Sequence, residues 1–362
     1  LNADPLGVES LVVPLRAASF WRVVPGPTTN LNVTSGNVLT IGPGTLLKFD
    51  NIFLDVFSGG TLNINGVSGD EVVMTSFTDN NVGVPNTALI NDWQGIEFSP
   101  NSLGGSINFL TIWYAVNGVN IINSGAGLTL NDLTVNYAVN GVRLSAASAT
   151  TVNPSFNNLS INECSTAHLY LLGTGTMSPS FSGNLSITDI SGSFATYGMR
   201  ISSTDNSLIS NFTVSGSVRG AYIENPTSVR LQNNIFRQAS QSGVELRSSN
   251  APIISNNIIV DNGTGSGNHS GIYNPSGNAF INNNLVRHNR GAYGAGIYIS
   301  SGSPVIQNNL IVENFDINSG SLGGSGILVW NNSSPTIINN TIANNTSTTT
   351  TQGGGLSIQA LT

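Results

Sequence analysis

The phrase "PVIQNNLIVEN", residues 304–314, places asparagine between apolar pairs, an odd choice for a sequence that must bury its valines and isoleucines. It recurs as "AFINNNLVRHN" at 279–289, "PIISNNIIVDN" at 252–262 and "PTIINNTIANN" at 335–345. Working outward, the apolar residue after the Asn step serves as an anchor. The series runs Leu110, Leu133, Leu159, Leu185, Phe212, Ile235, Ile258, Leu285, Leu310 and Thr341, with spacings of 23 to 31 residues. The residue before the anchor is Asn158, Asn184, Asn211, Asn234, Asn257, Asn284, Asn309 or Asn340 in the last eight repeats.

Each repeat holds three short β-branched pieces with a period of two: one before the anchor, often opened by proline; the anchor piece; and one of the form "GVEL" or "GIYI". A repeat of this length with three strands and no helical pattern fits a solenoid. Its coils stack as three parallel sheets about 4.8 Å apart. The sequence therefore predicts an all-β chain, a single-stranded parallel β-helix of roughly thirteen three-strand coils. Asn at the bend explains the opening phrase. An amide has both donors and an acceptor, so stacked Asn side chains can satisfy one another away from water. A second Asn column lies four residues past the anchor, at Asn262, Asn289, Asn314 and Asn345. Asn158, Asn184 and Asn211 also begin N-x-S/T sequons, but a ladder position predicts a buried side chain rather than a glycosylated one.

Residues 1–30, broken by proline, are expected to form an N-terminal cap over the first coil, since open sheet edges recruit other chains. The β-helix is expected over 31–362, with wider early coils at 31–105 and regular coils at 106–362. The C-terminal end is expected to lack a cap.

Only 8% of the 362 residues are charged and the net charge is −7, which argues against nucleic acid as a partner. No apolar run is long enough to span a bilayer, so membrane insertion is not expected. One cysteine, Cys164, rules out an intrachain disulfide and reads as a small packed residue. Trp93 reads as a plug for the wide early coils.

These motifs resemble the right-handed parallel β-helix family, the pectate-lyase-like superfamily. The phrase P-x-I-x-N-N-x-I-x-x-N followed by G-I-x-I looks like its generic repeat. The stretch "LTIGPGTLLKFD…GGTLNINGVSGDEVVMTSFTDNN…DWQGIEF" is similar to the opening coils of large exported bacterial proteins of this kind. The resemblance covers about residues 30–362 and implies a right-handed solenoid of the secreted or cell-surface type. Its members include lyases, hydrolases, epimerases and adhesins, so the fold alone does not select an activity.

Two columns stand out for chemistry. Three residues past the anchor lie Asp261, His288 and Glu313 on successive coils, two carboxylates astride a histidine, with Arg237 and Arg287 one position earlier. An acid–base role and an exposed polar bend are both open there. Outward on the "GVEL" strands lies a stripe of Tyr170, Arg200, Tyr222, Glu245, Tyr273 and Tyr298, expected to face solvent and suited to stacking on sugar rings. A lyase would need a basic residue beside Ca²⁺-holding carboxylates. The chain has one lysine, Lys48, so no cofactor is expected; Ca²⁺ stays open as an alternative, with no clear site for it.

The preferred reading of the sequence is a non-catalytic extracellular structural or adhesive β-helix. Its expected partners are copies of itself stacked end to end, further coils of a longer chain, or polysaccharide. The alternative is a polysaccharide-active enzyme, hydrolase or lyase, or a glycan-binding module on the same fold.

Overall fold

The computed structural model describes all residues except 1–9, 14–19, 24–29, 83–89, 126, 190–196, 203–205, 227, 248–249, 264–269, 318–322, 332, 349–353 and 360–362. Most of the expected cap therefore lies outside the described residues. Ser10–Val13 and Trp21–Val23 are strands, paired in parallel with Val38–Ile41 and Leu47–Phe49.

The described chain is a right-handed parallel β-solenoid with no helix among the described residues and about 11 turns, a small difference from the roughly thirteen expected. It divides into two compact units, residues 1–186 and 187–362.

In the first unit one long strand commonly does the work of two sheets. Leu128–Asn136 bends at Asp132, which has φ of 55°, and continues as the anchor piece. Leu110, Leu133 and Leu159 are register partners, each at most 1% exposed, so the leucines stack into one inward column. Trp93 is fully buried and stacks on Phe49 with ring centroids 4.4 Å apart, in the core of the early coils.

In the second unit each coil has three main pieces, such as Val305–Gln307, Leu310–Val312 and Ile327–Trp330, and Arg290–Gly291, Phe315–Asp316 and Thr346–Ser347 add a short fourth sheet of three strands. We call the three main sheets first, second and third, in chain order. Between the first and second lies a two-residue bend: a left-handed residue such as Asn308, with φ of 55°, then the inward Asn309. Asn tolerates positive φ better than most residues.

The Asn ladder is present, with a correction to its membership. Asn284 Oδ1 accepts from Asn257 N at 2.9 Å and Asn257 Nδ2 at 3.1 Å. Its own Nδ2 donates to Asn309 Oδ1 at 3.0 Å and Ile254 O at 2.8 Å. Every hydrogen-bonding valence of this buried amide is used. Asn234, Asn257, Asn284, Asn309 and Asn340 form this column. Asn158, Asn184 and Asn211 do not belong to it: Asn158 is half-buried, and Asn184 and Asn211 are exposed.

The cause is a register step of one residue. Thr213 pairs with Ile235, which places Phe212, not Asn211, level with Asn234. Asn211 instead matches the left-handed Asn233, with φ of 66° and 57° respectively. The bend is the same in both places; its inward residue is Leu or Phe up to Phe212 and Asn from 234 onward. As a result Ile258 and Leu310, taken as core anchors, are 39% and 43% exposed, while Ile259 and Ile311 are fully buried.

The second ladder runs through Asn262, Asn289, Asn314 and Asn345 in the same pattern. It explains the glycine that opens the third-sheet strands. A Cβ on Gly243 would sit 2.7 Å from Asn262 Nδ2 and 2.7 Å from Ile259 Cγ2. Cys164 is buried, its backbone N–H 3.4 Å from His168 Nε2, which agrees with the packed reading.

Candidate functional site

In the second unit the stripe expected on the third sheet is in register: Arg200 pairs with Tyr222, Tyr222 with Glu245, Glu245 with Tyr273, and Tyr273 with Tyr298. It does not lie as flat and open as expected. The tyrosines are half-buried, Glu245 is 3% exposed, and Leu328, next in the column, is fully buried. The chain entering each strand crosses the outer face: a Cβ on Gly294 would meet Leu328 Cβ at 2.8 Å, and one on Gly324 would meet Ser357 Cβ at 2.9 Å.

Burial of Glu245 is balanced by two guanidinium groups. Arg247 Nε donates to Oε1 at 2.7 Å and Arg219 Nε donates to Oε2. The Glu245 hydrogen bond raises the Arg247 pKa above its ordinary value, so the guanidinium stays charged. Arg219 also lies over the Tyr197 and Tyr222 rings, 5.7 Å and 5.9 Å from their centroids. Tyr273 and Tyr298 stack with centroids 5.1 Å apart and planes 9° from parallel. Burial raises the Tyr222 and Tyr273 hydroxyl pKa values, so both remain neutral donors. Tyr170 belongs to the first unit, where it is the register partner of Arg143.

Asp261, His288 and Glu313 do come together. All three are left-handed bend residues, with φ of 57°, 55° and 57°. His288 Nε2 lies 2.7 Å from Glu313 Oε2, and Nδ1 lies 3.6 Å from Asp261 Oδ1. Arg287 Nε donates to the same Glu313 oxygen at 2.6 Å and holds that carboxyl below its usual range. The side chains are 38–55% exposed, and both imidazole nitrogens face carboxylates. This is an ion network on an open bend rather than a lined site. Among the described residues no group of three or more His, Cys, Asp or Glu side chains is arranged to hold a metal.

Sequence reasoning missed a third group, on the third sheet of the first unit. Asp55 and Glu97 are register partners there, with Asn32 on one side and Asn120 on the other. Asp55 is 6% exposed. Burial, opposed by the Ser99 hydroxyl at 2.9 Å and reinforced by Glu97, raises its pKa to about 6. Asn32 Oδ1 is buried without a partner among the described residues. Glu97 accepts from Asn120 Nδ2 at 2.8 Å, and Asn120 in turn accepts from Arg143 at 2.9 Å. Asp55 and Ser99 are 44 residues apart, well beyond the regular repeat, so the repeat length gave no cue to the pairing. Lys48 is buried, donates to the Asp79 carbonyl, and lies 4.7 Å from the Phe20 ring centroid.

A family model, the right handed beta helix region, matches residues 180–360, half of the chain. The chain belongs to the right-handed β-helix family. Solved structures align with the chain at low identity. The periplasmic alginate epimerase AlgG is 12% identical with a TM-score of 0.45, over 93% of this chain and 78% of its own. The catalytic domain of a GH87 alpha-1,3-glucanase in complex with nigerose is 13% identical with a TM-score of 0.41, over 97% of this chain and 70% of its own. The A-module of the Azotobacter vinelandii mannuronan C-5 epimerase AlgE4 is 13% identical with a TM-score of 0.38, over 92% of each chain. No curated protein sequence matches this β-helix. Among the described residues no helix is long and apolar enough to cross a membrane.

Proposed function

We propose that this β-helix is a polysaccharide-active protein, secreted or displayed at the cell surface, that holds its glycan on the third sheet of residues 187–362. The observation that carries this reading is the stacked Tyr273–Tyr298 pair beside the Arg219–Glu245–Arg247 knot. Tyrosine faces pack against the apolar faces of sugar rings, and a rigid set of charged groups beside them can hydrogen-bond ring hydroxyls. Because each tyrosine is fixed by its neighbours in register, little side-chain entropy is lost on binding.

A second observation favours a chemical step as well. Asp55 keeps its proton to about pH 6 while Glu97 stands one strand away. Glycoside hydrolysis uses two neighbouring carboxyl groups, one to protonate the leaving oxygen and one to activate water or attack.

The test is a polysaccharide screen that reads both binding and release of reducing ends. Tyr273→Ala with Tyr298→Ala is expected to weaken binding of at least one polysaccharide 10-fold or more by removing the third-sheet surface, and Asp55→Asn or Glu97→Gln to abolish release while binding persists. Release lost in Asp261→Asn and Glu313→Gln but kept in Asp55→Asn would move the chemistry to the bend. Neither binding nor release would return the chain to a structural or adhesive role, built by stacking of coils.

A further inference from the structure

A cleft of about 240 Å³ opens on the outward face of the second sheet in the first unit, away from the groups described above. Its base is a ladder of hydroxyls. Thr111, Thr134 and Ser160 are register partners on successive strands, and Ser186 Oγ donates to Ser160 Oγ at 3.2 Å. Its side is the bend column, where Phe109, Asp132 and Asn158 follow one another.

Two features set this stretch of bend apart. From Asn211 onward the same left-handed position is Asn at 233, 256, 283, 308 and 339, the residue that best tolerates that backbone. At the cleft it is Phe109, with φ of 48°, and Asp132, with φ of 55°. Asp, like Asn, tolerates that backbone, but Phe109 is not explained by the turn, and a bulky side chain held at positive φ is a feature that clusters at binding sites. The lining is also selective in charge. It contains the carboxylates of Glu71 and Asp132 and no Lys, Arg or His. Asn158 Nδ2 donates to Asp132 Oδ1 at 2.9 Å, which fixes that carboxylate, and its second oxygen has no partner among the described residues.

We propose that this cleft binds a neutral glycan chain lying along the stacked coils. Ring hydroxyls would donate to Asp132 and Glu71 and exchange hydrogen bonds with the Thr and Ser ladder, and the Phe109 ring would supply an apolar face. The two carboxylates, unbalanced by any cation in the lining, turn away uronates. The site is separate from the tyrosine stack and does not depend on it.

The experiment is titration calorimetry of the full chain with cellohexaose, maltohexaose and xylohexaose, and with trigalacturonate as the acidic probe, in a Tyr273→Ala, Tyr298→Ala background that removes the other surface. At least one neutral oligosaccharide is expected to bind and trigalacturonate is not. Phe109→Asn, which gives the bend its preferred residue, is expected to melt no lower than the parent yet bind at least 10-fold more weakly. Asp132→Asn, isosteric and also suited to the bend, is expected to weaken binding similarly. Absence of binding by all three neutral probes, preference for trigalacturonate, or affinity unchanged in both variants would each overturn the proposal.

Discussion

Asp55 and Glu97 are register partners on adjacent parallel strands, so two carboxyl groups stand side by side on one face of the third sheet. Asp55 has its pKa raised from 3.8 to about 6, burial being the main cause. A raised pKa means the folded state binds the proton more tightly than the unfolded state. The associated stability is full below about pH 4 and is lost as pH rises through about 6. Asp55→Asn, which cannot ionise, is therefore expected to raise the melting temperature at pH 7.5 and leave it nearly unchanged at pH 4. The size is on the order of 1–3 kcal/mol at the higher pH. Equal shifts at both pH values would show that the carboxyl does not titrate in this range.

The ladder and the outward asparagines give opposite expectations for one substitution. Asn284→Ala removes the acceptor of Asn257 N and Nδ2 and the donor to Asn309 Oδ1, all buried. At about 1–3 kcal/mol for each stranded group, it should cost roughly 3 kcal/mol or more in urea unfolding. Asn184→Ala, at an exposed side chain, should fall within about 0.5 kcal/mol of the parent. Similar costs for the two would restore Asn184 to the ladder.

Glu245 ties the tyrosine face together, so its removal is expected to act on both stability and binding. Glu245→Ala leaves Arg219 and Arg247 facing a cavity. Breaking a fully buried pair costs about 3–5 kcal/mol. With Arg247 49% exposed, a loss of about 1–3 kcal/mol is expected, together with weaker glycan binding. Thermal melts and affinity electrophoresis on the same preparation would measure both, and an unchanged affinity would detach the knot from recognition.

At the open bend, Arg287 sets the titration of Glu313. The Arg287→Ala protein is expected to show the Glu313 carboxyl titrating at higher pH, followed by carbon-detected NMR. No movement would assign the lowered pKa to His288 instead.

Cys164 is buried against the third sheet, with Gly141 so close that an added Cβ would lie 3.3 Å from its Sγ. The thiol is expected to resist a disulfide reagent in the native protein and react at once in denaturant. Rapid native labelling would mean that the coil opens locally.

The residues themselves explain what could be read in advance. "NN" followed by alternating Ile and Val states the bend, the period and the amide ladder together, because each is a local demand: positive φ, two-residue alternation and self-complementary hydrogen bonding. The same text misled at 158, 184 and 211. The stretches "FNNLSI" at 156–161 and "QNNLIV" at 307–312 look alike when aligned on the apolar residue, yet the first turns Leu159 inward and the second turns Asn309 inward. The tyrosine stripe was legible as a column because third-sheet strands keep their register, but its partial cover comes from the chain that crosses Gly294 and Gly324.

Sequence alone determined the parallel β-solenoid, its three sheets and the chemistry of its bends, since these follow from short-range patterns repeated many times. Only the tertiary structure decided that Asp55 faces Glu97, that Glu245 is buried between two arginines, and that Phe109 and Asp132 border a cleft. Those outcomes depend on which coils become neighbours and on what lies across them. Loop length sets both, and stacking energy is indifferent to it.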